Sequence, residues 1–247
     1  MRLALAAALM LSATPALAGG LGDMTDEERA AFREEVRAYL LENPEVIVEA
    51  MTELQLREDA AAADRDLQLL AEHGAAIFQS EADWVGGNPE GDITLVEFMD
   101  YRCGYCRKAY QEVEELVKTD GNIRFVLKEF PILGEESLLS SQFAIAVRLL
   151  YGDAAYKTAH DALIALRGEA TMDSLSRLAQ ELGHDPAAVT GKMGSDEVKA
   201  VITANHELAT TLEINGTPTF VMEKTMVRGY VPLDGMRQIV DGQRQDG

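Results

Sequence analysis

Ile93-Thr94-Leu95-Val96-Glu97-Phe98-Met99 is rich in β-branched residues and almost continuously apolar, and it leads through Asp100-Tyr101-Arg102 into Cys103-Gly104-Tyr105-Cys106. A run of that kind predicts a strand covered on both faces. The cysteines open a helical pattern that continues to about Val117, with Tyr110, Val113, Leu116 and Val117 along one side. Gly121-Asn122 predicts a turn and Ile123-Arg124-Phe125-Val126-Leu127 a second strand. Strand, helix and strand make a βαβ unit, which implies a parallel pair joined by a right-handed crossover. The fold class is therefore α/β.

Downstream, residues 136–212 read as a long helical stretch, punctuated at Gly152, Gly168, Gly183 and Gly191. The chain then returns to strand at Thr219-Phe220-Val221-Met222 and Thr225-Met226-Val227-Arg228, and Asp234 begins a last short helix. Upstream, residues 79–92 hold Gly86-Gly87-Asn88-Pro89 and Gly91, a turn-rich stretch that places a domain boundary there. Before it, Thr25 and Glu28 fit a capping box, and Phe32, Val36 and Leu40 share one helical face. Asn43-Pro44 breaks that helix and starts another, which ends near His73-Gly74. In this second helix Ile47, Met51 and Leu54 form one stripe, and Leu56, Ala60, Ala63, Leu67 and Leu70 form another in a different register. Stripes of this kind need a partner surface, either further copies of the segment or the chain's own following domain.

Met1-Arg2, the apolar run from Leu3 to Leu11 and Ala16-Leu17-Ala18 have the form of a secretory signal peptide over residues 1–18, with a mature start at Gly19. The organisation expected is thus a signal peptide (1–18), an N-terminal helical segment (19–78) and an α/β domain (79–247). The net charge of −20 argues against nucleic acid, whose phosphates need Lys and Arg, and against anchoring on anionic lipid.

Export changes how the cysteines are read. Cys103 and Cys106 are the chain's two cysteines. A disulfide across so short a loop removes little unfolded-state entropy, so chemistry explains the pair better than stability does. Haem attachment needs a histidine directly after the second cysteine, where this chain has Arg107. A structural zinc site needs two more ligands, and His73, His160, His184 and His206 are scattered. No metal or cofactor is expected. At a helix start the first cysteine meets free N–H groups and the positive end of the helix dipole, which favour thiolate. Cys103 is therefore the expected exposed nucleophile and Cys106 the resolving thiol. Arg107 and Lys108 either support the Cys103 thiolate or are solvated helix charges. Glu97 interrupts the apolar strand, so its carboxylate is expected partly buried beneath the cysteines, suited to exchanging a proton with Cys106, with Lys128 as a candidate partner.

Together, Val96-Glu97-Phe98, the run from Asp100 to Cys106, Lys128-Glu129-Phe130-Pro131-Ile132-Leu133-Gly134 and Gly216-Thr217-Pro218-Thr219-Phe220 resemble the DsbA-like branch of the thioredoxin superfamily. The resemblance implies a thioredoxin fold with a helical insertion between the second and third strands. It also implies a cis Thr217–Pro218 bond facing the cysteines, with Gly104, Tyr105, Thr217 and Pro218 contacting substrate. Glu97 and Lys128 fall where that family has a buried acid–lysine pair. The helical segment and the Thr before Pro218 look more like the oligomeric DsbC/DsbG-type isomerases and the copper-sensitivity suppressor (ScsC) proteins. That layout implies a homo-oligomer in the periplasm, acting as an isomerase or reductase on cysteine-containing exported proteins and recycled by a membrane redox partner. A DsbA-type oxidase remains open. So does a non-enzymatic Cu(I) binder, because two thiolates suffice for linear Cu(I).

Overall fold

The computed structural model describes residues 24–245; the expected signal peptide lies outside them. The chain divides after Ala60 into two compact units. The first holds α1 (Asp26–Glu42) and the beginning of α2 (Glu45–Phe78). α1 starts where expected. Thr25 Oγ1 accepts the Glu28 N–H at 3.2 Å, and Glu28 Oε2 accepts the Thr25 N–H at 2.8 Å. Asn43, expected to cap the second helix, instead closes α1 by donating its N–H to the Tyr39 carbonyl at 2.8 Å. Val36, Tyr39, Ile47, Met51 and Leu54 are all exposed.

α2 does not stop at Gly74 but runs on to Phe78. Glycine inside a helix costs about 1 kcal/mol relative to alanine. Here burial outweighs it, because Leu70 and Ile77 pack with Val96, Phe98, Val126 and Val221.

The second unit is built on five strands: β1 (Trp84–Gly87), β2 (Ile93–Met99), β3 (Ile123–Glu129), β4 (Thr219–Met222) and β5 (Thr225–Arg228). Their order is β1-β3-β2-β4-β5. β2 and β3 are parallel, as the βαβ reading requires, with α3 (Gly104–Asp120) crossing between them. The other pairings are antiparallel.

The turn expected at Asn88-Pro89 and Gly91 forms, with the Gly91 N–H donating to the Asn88 carbonyl at 2.9 Å, but β1 corrects the expectation at Gly86-Gly87. Its two glycines are strand residues set by close approach. A Cβ on Gly86 would lie 2.1 Å from the Trp84 ring, and one on Gly87, at φ +69°, would lie 2.3 Å from the Ile123 carbonyl oxygen. Only glycine fits where another group comes so near the backbone.

The helical insertion comprises α4 (Glu135–Tyr151), α5 (Asp153–Ala165), α6 (Met172–Glu181), α7 (Pro186–Met193) and α8 (Asp196–Thr211). It follows β3 and precedes β4. α9 (Leu233–Gln245) closes the fold.

Strand alternation sorts the side chains onto two faces. Leu95, Met99, Phe125 and Leu127 face a core shared with α3, α4 and α5, and Val96, Phe98 and Val126 face the end of α2 and Leu208 and Leu212. Trp84 anchors the insertion from β1. Its indole N–H donates to the Asp153 carbonyl at 3.1 Å, and its ring stacks on Tyr156 at 5.7 Å. Tyr156 in turn donates its O–H to the buried Glu129 at 2.6 Å, beside donors from Tyr101 (2.8 Å) and Ser141 (2.7 Å).

Candidate active site

Cys103 is the N-cap of α3, in extended backbone conformation. Its N–H donates to the Asp100 carbonyl at 3.1 Å, and its sulfur accepts the Cys106 N–H at 3.4 Å. The turn is organised by the Asp100 carboxylate, which accepts the N–H groups of Arg102 (2.7 Å), Ile132 (2.8 Å) and Leu133 (3.1 Å) and the Ser137 hydroxyl (2.8 Å). Asp100 was not singled out from the sequence. An acid standing between an apolar strand and the cysteines was the available signal, since short acidic side chains commonly close turns on backbone N–H groups.

Both cysteines are free thiols. Cys103 is 7% exposed and Cys106 1%, so the first is the more accessible, but it is not the fully exposed attacker expected. The Thr217 loop accounts for its covering: the Cys103 thiol donates to the Thr217 carbonyl at 3.1 Å. The Thr217–Pro218 peptide is cis, and the Pro218 carbonyl accepts the Gly229 N–H at 2.9 Å. Tyr105, between the cysteines, is 62% exposed.

The two thiols are pushed apart electrostatically. A hydrogen bond from the Cys106 side chain, and others from the Thr217 side chain and the N–H groups of Cys106 and Tyr105, bring Cys103 down to about 5 against the cost of burial. Burial, the Cys103 hydrogen bond and the Glu97 charge drive Cys106 far up. Arg107 and Lys108 are not among the groups that lower Cys103. The Arg107 guanidinium donates to the carbonyls of Tyr101 and Leu166, each at 2.7 Å, and Lys108 Nζ lies 4.0 Å from the Tyr230 ring centroid.

Glu97 is buried on the face that carries the cysteines, and burial, then the Cys103 and Glu114 charges, raise it to about 8. Lys128 is elsewhere. The register sets Glu97 beside Leu127 and Lys128 beside Phe98, so the two side chains leave opposite faces of the sheet. The expected Glu97–Lys128 pair does not form. Lys128 donates instead to the buried Asp83 carboxylate and, at 2.9 Å, to the Ala76 carbonyl near the end of α2. Replacing Lys128 with methionine would leave Asp83 buried without its cation. The expected result is a loss of about 3–5 kcal/mol in urea unfolding, and an unchanged midpoint would contradict it.

Residues 79–242 match the thioredoxin family. The chain belongs to that family. Residues 28–61 match a second description, the copper resistance protein ScsC N-terminal domain. This thioredoxin-family chain is similar in structure to a thioredoxin-like oxidoreductase from Silicibacter pomeroyi DSS-3, at 40% identity and a TM-score of 0.65, over 69% of this chain and 97% of that one. It is also similar to Proteus mirabilis ScsC in a transitional conformation, at 25% identity and a TM-score of 0.66, over 92% of this chain and 99% of that one. Among curated proteins it is 27% identical over 161 residues to Na(+)/H(+) antiporter NhaA 1 of Salinispora arenicola, matching 65% of this chain. The chain spans 24% of the length of the curated relatives it matches. The thioredoxin fold, its helical insertion and the N-terminal helical segment agree with the reading of the sequence, and the fold is that of thiol-disulfide oxidoreductases.

Proposed function

We propose that this chain is an exported protein disulfide isomerase whose attacking group is Cys103. The observation that carries the reading is the divergence of the two thiols beside the cis Thr217–Pro218 peptide, one near 5 and one driven far up. The Cys103 thiolate attacks one sulfur of a substrate disulfide. A mixed disulfide forms, the substrate S–S bond breaks, and the other substrate sulfur leaves as thiolate. If that thiolate attacks a different substrate disulfide, and a resulting thiolate displaces Cys103, the pairing has changed with no net electron transfer. If the substrate stalls, Glu97 takes the Cys106 proton. Cys106 then attacks the Cys103 sulfur, which frees reduced substrate and leaves the Cys103–Cys106 disulfide for a membrane reductant to return to the dithiol.

The low value of Cys103 also bears on direction. At neutral pH a thiol held near 5 rather than the ordinary 9 favours the dithiol form by roughly 3 kcal/mol, on the order of 60 mV for two electrons. That supports isomerase or oxidase action over reduction, and it keeps a DsbA-type oxidase as the second reading. The N-terminal helices favour the isomerase. Ile47, Met51 and Leu54 present an exposed apolar stripe, within a segment resembling the ScsC N-terminal domain, that suits self-association. Among the described residues no helix is long and apolar enough to cross a membrane.

The reduced protein is expected to accelerate refolding of a scrambled-disulfide substrate, with a light-scattering mass that is a multiple of the single chain. No acceleration would sink the isomerase reading. A monomeric mass with rapid oxidation of reduced substrates by the disulfide form would replace it with the oxidase.

A further inference from the structure

The tyrosine between the two cysteines meets an aromatic residue from a second chain segment. Tyr105 stacks on Tyr230, with ring centroids 6.0 Å apart and planes 28° apart. Tyr230 is tightly held. Its hydroxyl donates to Glu112 Oε1 at 2.7 Å, the other Glu112 oxygen accepts the Leu233 N–H at 2.8 Å, and Lys108 Nζ sits 4.0 Å from the ring centroid. The residue before it, Gly229, donates its N–H to the Pro218 carbonyl at 2.9 Å. One hydrogen bond thus joins the aromatic pair to the cis peptide that faces the nucleophile. Neither Tyr230 nor Glu112 has a part in the exchange chemistry, yet both brace a ring pair whose outer member is an exposed residue of the Cys-Gly-Tyr-Cys motif.

We infer that Tyr105 and Tyr230 form a specificity subsite that takes an aromatic side chain next to the reacting cysteine of the substrate polypeptide. This rests on the exchange reading above and adds a substrate class to it. An open Tyr105 face on a braced stack lets a third ring continue the stack. Because the stack is preorganised, little side-chain entropy is lost when the ring binds. Aromatic pairs gain more than buried area alone provides, whereas an aliphatic side chain of equal size gains the area only. The preference for aromatic over aliphatic follows as roughly threefold to tenfold in rate constant. The subsite adjoins the cis-Pro loop, so a polypeptide lying along that loop brings its neighbouring residue to the rings.

The test uses the reduced full chain and short peptides whose single cysteine is in mixed disulfide with glutathione. The residue before or after the cysteine is Phe, Leu or Ser. The second-order rate constant for attack by Cys103 should favour Phe over Leu by roughly threefold to tenfold in at least one placement. Tyr105→Leu and Tyr230→Leu should bring the ratio to about one, and Tyr105→Phe should keep it. Equal rates for Phe and Leu, or a ratio unmoved by both leucine variants, would overturn the subsite. Oxidised glutathione separates the two levels. If it reacts while the peptides show no preference, only the subsite fails. If neither glutathione nor any peptide reacts, the exchange reading fails and takes the subsite with it.

Discussion

Cys103→Ala is expected to lower thiol-disulfide exchange to the uncatalysed rate, because no other group in the chain can form the mixed disulfide: Cys106 is deeply buried and its thiol is pushed far up. In the unaltered protein the same residue should show itself in a titration. Thiolate absorbance of the reduced form should rise with a midpoint near pH 5, and alkylation of Cys103 should stay fast from pH 8 down to 6 before falling. A midpoint near 9 would remove the basis for a poised nucleophile. Stability follows with a definite sign. A group held below its unfolded value adds stability above that value and loses it as pH falls through the folded one. The reduced protein should therefore lose stability relative to the disulfide form between about pH 9 and pH 5.

Glu97→Gln should leave the first attack nearly intact and slow the second by roughly 10²-fold, the usual scale for a lost general base. The mixed disulfide with a peptide would accumulate and be trapped by acid quench. Equal lifetimes in the two proteins would take Glu97 out of the resolving step. The variant should also be the more stable one at alkaline pH. Glu97 is raised by burial to about 8, so the fold holds its proton longer than the unfolded chain does. Stability is then lost as pH rises between about 4.5 and 8, by several kcal/mol at most, and glutamine removes that slope. A variant whose urea midpoint falls more steeply than the parent's from pH 5 to 8 would contradict the assignment.

The parts legible beforehand were those where one local rule decides. β2 is a nearly continuous apolar run, the cysteines sit where a helix must begin, and β4 and β5 end at the residues expected. What was missed depended on tertiary approach. Gly86-Gly87 has the composition of a turn, and only the Trp84 ring and the Ile123 carbonyl make it a strand. Gly74 has the composition of a helix end, and the burial of Ile77 carries α2 past it. The Glu97–Lys128 pairing failed on register. Parallel strands sharing a face at 97 and 127 place 128 on the other side, and no local pattern specifies that offset. Arg107 likewise looks like a helix charge near a thiolate until the Leu166 carbonyl, 59 positions away, supplies its acceptor.

Trp84 is the chain's one tryptophan, and it is sealed between Phe125 and Tyr156 where the insertion meets the sheet. Its fluorescence is therefore a signal from the thioredoxin-fold unit alone. The helices before Ala60 contain no indole, so their melting leaves the emission unchanged, while far-ultraviolet dichroism records every helix. Followed side by side through heating or urea, the two signals separate the unfolding of the thioredoxin fold from the melting of the N-terminal helices without any added label.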